Sequence, residues 1–251
     1  MTPLRKKERS VYLAGEPEIV REFGEVCAAS GFAVICAPGP RGSSSLPAGF
    51  RKTSAVPGSI LLAAELTNTD RDRKRKNLTT LDASLPARIP LLTSAVTVTA
   101  GEQASWIQRP SRLVGFGAFP TLLGGPLVEV TAPLRTGQSS LDLAREFFAR
   151  IGKEVSVVQD RVGLVMPRIL CMLINEACFA LTENIASPGD IDTAMKLGTN
   201  YPRGPVEWAN LIGIGQVVSV LEALRNGTGE ERYRLAPLLH QMSVGSGSWN
   251  K

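Results

Sequence analysis

The chain has 251 residues, of which 43% are hydrophobic and 20% are charged, and its formal net charge is +5 at pH 7. This length and apolar fraction are typical of a globular protein with a substantial core and argue against collagen, coiled coil and wholesale disorder. Because the chain contains a single histidine, His240, mechanisms that need a histidine dyad or a multi-histidine metal site are excluded.

The first 160 residues alternate short apolar runs with segments of helical periodicity. Apolar runs at residues 11–14, 32–36 and 60–64 predict buried strands, and helical spacing over 17–29 and 69–84 predicts helices between and after them. Further strands are predicted at 89–92, 112–116, 128–130 and 155–158, and further helices at 100–108 and 139–151. Apolar strands that alternate with helices predict a parallel sheet covered on both faces.

Two polar stretches interrupt this pattern. Residues 38–58 are rich in Gly, Pro and Ser and predict a loop. Residues 71–76 are basic, but the run is short, contains an aspartate and lacks interleaved aromatic residues. A solvated helix face is therefore favoured over a nucleic-acid site, and no nucleic-acid partner is expected.

From about residue 163 the sequence predicts helices only. The apolar stretch over 164–181 is long enough for a helix and is apolar on more than one face, which is typical of helix packing or a subunit interface. Further helices are predicted over 191–197 and 206–225, and an N-cap region at 187–190 precedes the first of them.

Cysteine usage and hydropathy indicate the compartment. The four cysteines are scattered without a CxxC pair and stand in apolar surroundings, which is typical of buried reduced thiols. No run of about 18 apolar residues appears, and no signal-like apolar stretch follows the basic start. We therefore expect a cytoplasmic protein without a membrane span and without a metal site.

Two motifs in the helical half are long enough to be specific. They are Ala186-Ser-Pro-Gly-Asp-Ile-Asp-Thr-Ala-Met-Lys-Leu-Gly198 and Tyr201-Pro-Arg-Gly-Pro205, with shorter matches at 127–130, 152–153 and 175–177. The sequence resembles the 3-hydroxyacyl-CoA dehydrogenase family, whose members oxidise a 3-hydroxyacyl-CoA to a 3-ketoacyl-CoA with NAD. It also looks like the degenerate second repeat of some long bacterial members, here standing alone.

The resemblance covers about residues 10–242 and implies the organisation of the chain. It predicts a shortened Rossmann-like parallel sheet domain over residues 1–160 and an all-helical dimerisation domain over 161–251. The short stretch at 38–58 replaces a projecting helical pair that helps family members to bind CoA. The family implies a homodimer through the helices, with acyl-CoA as ligand.

The family's glycine-rich turn after the first strand holds the cofactor NAD, because three glycines permit a tight turn and close approach of a pyrophosphate. Here Gly15 is retained, but Pro17 and Val20 stand at the other two glycine positions. Glu16 puts a negative charge at the helix N-terminus, which repels a phosphate. The acidic residue expected at the adenosine ribose aligns with Pro38.

The family's catalytic pair is a histidine in a Val-Gly-x-His pattern and a glutamate twelve residues later. Gly117 stands at the histidine position, and Glu129 is the retained glutamate, acting either as a base itself or in a structural role. The lone His240 belongs to no matching motif.

Further family positions are altered or retained in part. The site asparagine aligns with Pro167 and the site serine with Val96, although a shift of one residue offers Ser94 or Thr97. The glutamate and lysine near the nicotinamide are matched as the retained cofactor-binding positions, Glu65 and Lys74.

Three functions remain open at this point. The first is a family protein of fatty-acid metabolism with lost or much reduced dehydrogenase activity that binds or helps to assemble an active family enzyme. The second is an active NAD-dependent dehydrogenase with rearranged residues, motivated by Glu129, Glu65 and Lys74. The third is a small-molecule sensor that uses the cleft between the two domains.

Overall fold

The structure, a computed structural model, describes residues 10–38 and 47–245. The chain divides into two compact units, the first ending at Leu164 and the second beginning at Val165. Residues 39–46 of the predicted 38–58 loop lie outside the described residues. Among the helices described, none combines the length and the hydropathy needed to cross a bilayer.

An eight-stranded sheet forms the framework of the first unit over its described residues. The strands are β1 (Ser10–Gly15), β2 (Ala33–Cys36), β3 (Arg51–Lys52), β4 (Leu62–Leu66), β5 (Leu91–Ser94), β6 (Leu113–Phe116), β7 (Leu127–Thr131) and β8 (Glu154–Val157). They lie in the order β3-β2-β1-β4-β5-β6-β7-β8. Neighbours are parallel except for the antiparallel pair β6 and β7, so β7 and β8 run against the other strands. The predicted parallel sheet is thus confirmed as the dominant arrangement.

Helices cover both faces of this sheet. They are α1 (Pro17–Ala29), α2 (Arg71–Ser84), α3 (Ala100–Ala104) and α4 (Gln138–Arg150). Val11 and Leu13 of β1 belong to the apolar cluster that includes residues of α1 and α4. Tyr12 and Ala14 belong to the opposite cluster, with residues of α2 and α3. Burial on both faces explains why the sequence of β1 is apolar without alternation.

The second unit is built from five helices within the described residues. They are α5 (Met166–Thr182), α6 (Pro188–Thr199), α7 (Pro205–Ile212), α8 (Ile214–Thr228) and α9 (Pro237–Val244). The single helix predicted over 206–225 is wrong, because α7 ends and α8 begins at Gly213, whose φ of 90° favours glycine. The predicted loop at 38–58 is also wrong in part, since it contains the edge strand β3, which is too short to show a periodicity.

The longest sequence motif of the helical half forms the junction of α6 and α7. The carboxylate of Asp192 accepts hydrogen bonds from the backbone amides of Val206 and Glu207, at 2.8 and 3.0 Å, and so caps α7. A Cβ at Gly204 would lie 2.1 Å from Asp192 Oδ1, so only glycine fits there. Lys196 of α6 pairs with Glu207 at 2.5 Å. The motif therefore secures the fold of the helical unit.

Candidate functional site

Doubly wound sheets hold their ligands at the carboxyl ends of the strands, in the crevice where the strand order reverses. In this sheet the reversal lies between β1 and β4, because β2 and β3 continue on one side of β1 and β4 to β6 on the other. Glu16 follows β1 directly, and the polar residues 67–69 follow β4. The side chains at this edge decide what the first unit can bind.

The turn between β1 and α1 is filled by its own residues. A Cβ at Gly15 would lie 2.4 Å from the carbonyl carbon of Leu66, so this glycine permits close packing of β1 on β4. Glu16 is 7% exposed. Its Oε1 accepts hydrogen bonds from the Asn68 amide at 3.0 Å, the Thr69 amide at 2.7 Å and the Thr69 hydroxyl at 2.6 Å. The turn thus presents a buried carboxylate.

These residues do not fit a dinucleotide pyrophosphate bound at this turn. A pyrophosphate at a helix N-terminus accepts hydrogen bonds from backbone amides, but Pro17, the first residue of α1, has no N–H. The carboxylate of Glu16 adds a negative charge beside this turn, where it bonds to the amides of Asn68 and Thr69. Pro38, which follows β2 and is exposed, offers no acid to a ribose.

Asn68 joins the ends of neighbouring strands. Its Nδ2 donates to the carbonyl of Ala118, beyond β6, at 2.9 Å, and its Oδ1 accepts from the hydroxyl of Ser94, at the end of β5, at 2.6 Å. Its carbonyl accepts from Thr97 Oγ1 at 2.7 Å. Asn68 was not among the residues predicted from the sequence. The available signal was the polar run at 67–70, directly after a buried strand.

The predicted catalytic positions 117 and 129 lie side by side. The amide of Gly117 donates to the carbonyl of Glu129 at 2.9 Å, and a Cβ at Gly117 would lie 3.7 Å from Glu129 Cβ. The same Cβ would lie 3.5 Å from Cδ1 of Leu164, which is 4% exposed. The position of the family's imidazole therefore borders a buried leucine, and Glu129 is itself buried.

The other predicted positions contribute to the fold. Ser94 and Thr97, the alternative hydroxyl groups, both bond to Asn68. Val96 is fully buried, and its carbonyl accepts from the amide of Gly163 at 2.7 Å. Pro167 is buried in the first turn of α5, in the second unit.

The solvated face predicted for residues 71–76 is wrong for Lys74, which is 1% exposed. Its Nζ lies 2.6 Å from Glu65 Oε2 and donates to the carbonyl of Thr67 at 2.6 Å. Asn77 Nδ2 donates to the other oxygen of Glu65 at 3.1 Å. Lys74 lies one turn before Leu78 and two turns before Leu81, which are both buried, so the helix carries it into the core. The two retained cofactor positions form a buried ion pair.

The single histidine and two of the cysteines, Cys171 and Cys178, belong to the second unit. His240 is exposed on α9, in the second unit. All four cysteines are free and buried, as predicted. Burial raises the pKa of the Cys36 thiol to about 11 and that of the Cys178 thiol to about 12. Within residues 10–38 and 47–245, no group of three or more His, Cys, Asp and Glu side chains is placed to hold a metal ion.

Both halves of the chain match descriptions of known sequence families. Residues 52–161 match "3-hydroxyacyl-CoA dehydrogenase, NAD binding domain", and residues 163–246 match "3-hydroxyacyl-CoA dehydrogenase, C-terminal domain". The chain belongs to the 3-hydroxyacyl-CoA dehydrogenase family. The resemblance seen in the motifs is therefore confirmed, as is the Rossmann-like domain followed by a helical domain.

Similar proteins carry names from this family. The chain is 32% identical over 178 residues to a 3-hydroxybutyryl-CoA dehydrogenase of Bradyrhizobium diazoefficiens, covering 71% of the chain and 61% of the relative. It is 38% identical over 122 residues to the 3-hydroxyadipyl-CoA dehydrogenase of Escherichia coli, covering 49% and 26% respectively. The chain thus spans about three-fifths of the first relative's length.

The solved structures extend the similarity of fold to nearly the whole chain. The crystal structure of (S)-3-hydroxybutyryl-CoA dehydrogenase from Ralstonia eutropha superposes with a TM-score of 0.79 at 24% identity. The superposition covers 96% of this chain and 95% of the solved one. The fold of this dehydrogenase family is therefore retained.

Proposed function

We propose that this chain is a 3-hydroxyacyl-CoA dehydrogenase-family protein of fatty-acid metabolism with lost or much reduced dehydrogenase activity. It acts in the cytoplasm as a binding or assembly partner of an active member of the family. The observation that carries the proposal is Gly117, at the family's histidine position and beside the buried side chain of Leu164. Removal of a general base alone costs about 10²- to 10⁴-fold in rate.

The cofactor side of the first unit supports the same proposal. NAD is the cofactor of the family, but the carboxylate of Glu16 and the ring of Pro17 stand where its pyrophosphate would need amide donors. Lys74 is held by Glu65 and by the carbonyl of Thr67. The Asn68 and Thr69 amides are therefore already bonded to Glu16, and Gly117 supplies no general base at the family's histidine position.

The second unit supports a binding role. The capped junction of α6 and α7 keeps the family's helical scaffold, and apolar side chains are exposed on it, including those of Met166, Ile169, Ile185 and Leu197. Large apolar side chains that are exposed on this unit favour a protein partner. A second copy of this chain or the helical domain of an active relative is the partner that such a surface fits.

The test measures activity and assembly on the purified chain. We expect no oxidation of NADH with acetoacetyl-CoA above the enzyme-free rate, while an active 3-hydroxybutyryl-CoA dehydrogenase turns over in the same assay. Light scattering after size-exclusion chromatography is expected to give a dimer, or a mixed species when an active relative is added. Turnover by the pure chain would overturn the proposed loss of activity. A chain that stays monomeric and forms no complex with the active relative would overturn the assembly role.

A further inference from the structure

We infer that the carboxylate of Glu16 is a built-in anion that occupies an oxyanion-binding nest at the reversal point of the sheet. The nest consists of the backbone amides of Asn68 and Thr69 and the hydroxyl of Thr69. Its ligand class is a small carboxylate, which enters when the Glu16 side chain is removed. The inference rests on the proposed function in one respect, since the biological role it gives Glu16 is to exclude the nucleotide cofactor.

The first support is the convergence of three donors on one oxygen. Glu16 Oε1 receives the two successive amides at 3.0 and 2.7 Å and the hydroxyl at 2.6 Å. Successive amides in a turn form a concave donor set that binds anions. Hydrogen bonds to an ionised acceptor are roughly twice as strong as neutral ones. Residues 68 and 69 therefore form a site for a negatively charged oxygen.

The second support is that the Glu16 side chain does not cap its own helix. Glu16 stands at the N-cap of α1, where a side chain commonly accepts from the first turn, but it makes no capping hydrogen bond there. Its backbone is fixed on both sides, since its amide donates to the carbonyl of Leu66 at 3.1 Å and its carbonyl accepts from Val20 at 2.9 Å. The carboxylate is thus held across the crevice, from the end of β1 to the turn after β4.

A consequence for ligands follows from this position. A phosphate that approaches the nest meets donors that already bond to the Glu16 carboxylate. It also meets the negative charge of Glu16, a residue that is only 7% exposed. The electrostatic repulsion and the lack of free donors both weaken the binding of a phosphate. Glu16 is therefore a specificity-determining residue that excludes anionic ligands from the nucleotide position of the family.

The experiment is rescue of a cavity variant by acetate. Thermal unfolding of wild type, Glu16→Ala, Glu16→Gln and Glu18→Ala is compared in sodium acetate and in sodium chloride of equal ionic strength. Glu18, exposed on the first turn of α1, is the matched control for loss of one charge. In chloride we expect Glu16→Ala to lose on the order of 5 °C in Tm. Acetate is expected to restore part of that loss.

The other variants are expected not to respond to acetate. In wild type the nest is filled by the carboxylate, in Glu16→Gln by the amide oxygen, and in Glu18→Ala by the intact Glu16. A folded Glu16→Ala that melts at the same temperature in both salts overturns the inference, as does an equal acetate effect in wild type.

A second variant covers the case in which Glu16→Ala does not fold. Thr69→Val removes the hydroxyl donor, and we expect Tm to fall by about 2–4 °C, whereas Thr80→Val, on the exposed side of α2, leaves it unchanged. Equal melting of the two valine variants overturns the inference. Turnover of NADH by the pure chain would overturn the proposed function while leaving the acetate result as it stands.

Discussion

Leu164 packs beside Gly117, and its Cδ1 lies 3.5 Å from where any other residue would place its Cβ. Leu164 has a φ of 46° and follows Gly163, whose φ is 79°. The amide of Gly163 donates to the carbonyl of Val96. The turn at Gly163 and Leu164 therefore fixes the leucine beside Gly117, at the family's histidine position. The same turn bonds to Val96, at the family's serine position. The two altered positions are structurally linked.

This link predicts that returning the histidine alone does not return the activity. In Gly117→His the imidazole starts in contact with Leu164 and Glu129, while Glu16 still fills the nucleotide turn. We expect NADH oxidation with acetoacetyl-CoA to stay at the enzyme-free rate, measured at 340 nm, with an active relative as positive control. A rate increase of 10²-fold or more in Gly117→His would contradict the proposed loss of the cofactor site.

Two glycines that stand two residues apart are predicted to differ in their tolerance of alanine. A Cβ at Gly117 makes contacts of 3.5 to 3.8 Å, whereas a Cβ at Gly115 would lie 2.6 Å from Thr131 Cγ2 and 2.8 Å from Ala100 Cβ. We expect Gly117→Ala to change the free energy of unfolding by less than about 0.5 kcal/mol. Gly115→Ala is expected to cost about 1–3 kcal/mol. Urea denaturation checks both values, and equal costs would contradict the packing described.

The buried ion pair predicts a large difference between single and double substitutions. In Lys74→Met the carboxylate of Glu65 stays buried without its lysine, and such a loss costs about 3–5 kcal/mol. Replacing both residues, as Glu65→Leu with Lys74→Met, is expected to recover most of that free energy. Lys76→Met, on the exposed side of α2, is the control and is expected to stay within about 0.5 kcal/mol. A stable Lys74→Met single variant would refute the structural role of the pair.

Much of the fold was predictable because burial leaves a periodic trace in the sequence. β1 lies between two helical layers, so its residues 11–14 form a continuous apolar run, and most of the stretch predicted at 164–181 lies in α5. The direction of β7 was not predictable, since it depends on the connection from β6 and not on the residues of the strand. The break at Gly213 was missed because the sequence is apolar on both sides of it.

The candidate site was predictable only where a motif carried it. The pairing of positions 117 and 129 followed from the family pattern, and the structure places them together. The contact between Glu16 and Asn68 was not predictable, because these residues stand 52 positions apart in the chain and long-range hydrogen bonds leave no local pattern. Lys74 was wrongly predicted to be solvated, because its basic neighbours in the run 71–76 gave no sign that this one lysine faces the core.

The thiols predict how the chain responds to alkaline pH. Burial raises the pKa of Cys36 to about 11 and that of Cys178 to about 12, from an ordinary value of 9.0. A raised pKa means that the folded state keeps the proton, so this contribution to stability is complete below pH 9 and is lost as the pH rises towards 11 and 12. We expect iodoacetamide to leave the folded chain unmodified at pH 8 and to label it in urea. Rapid labelling of the folded chain at pH 8 would contradict the burial.

The junction of α6 and α7 predicts opposite effects for two further glycines of the helical unit. Gly204→Ala places a methyl group 2.1 Å from Asp192 Oδ1, which forces the capping carboxylate away from α7. Loss of a cap and steric displacement together are expected to cost about 2–4 kcal/mol. Gly198, within α6, has no atom within 4 Å of its Cβ position, so Gly198→Ala is expected to be neutral or to stabilise by up to about 1 kcal/mol. If Gly204→Ala and Gly198→Ala unfold at the same temperature, the motif shared with the family does not secure the junction of α6 and α7.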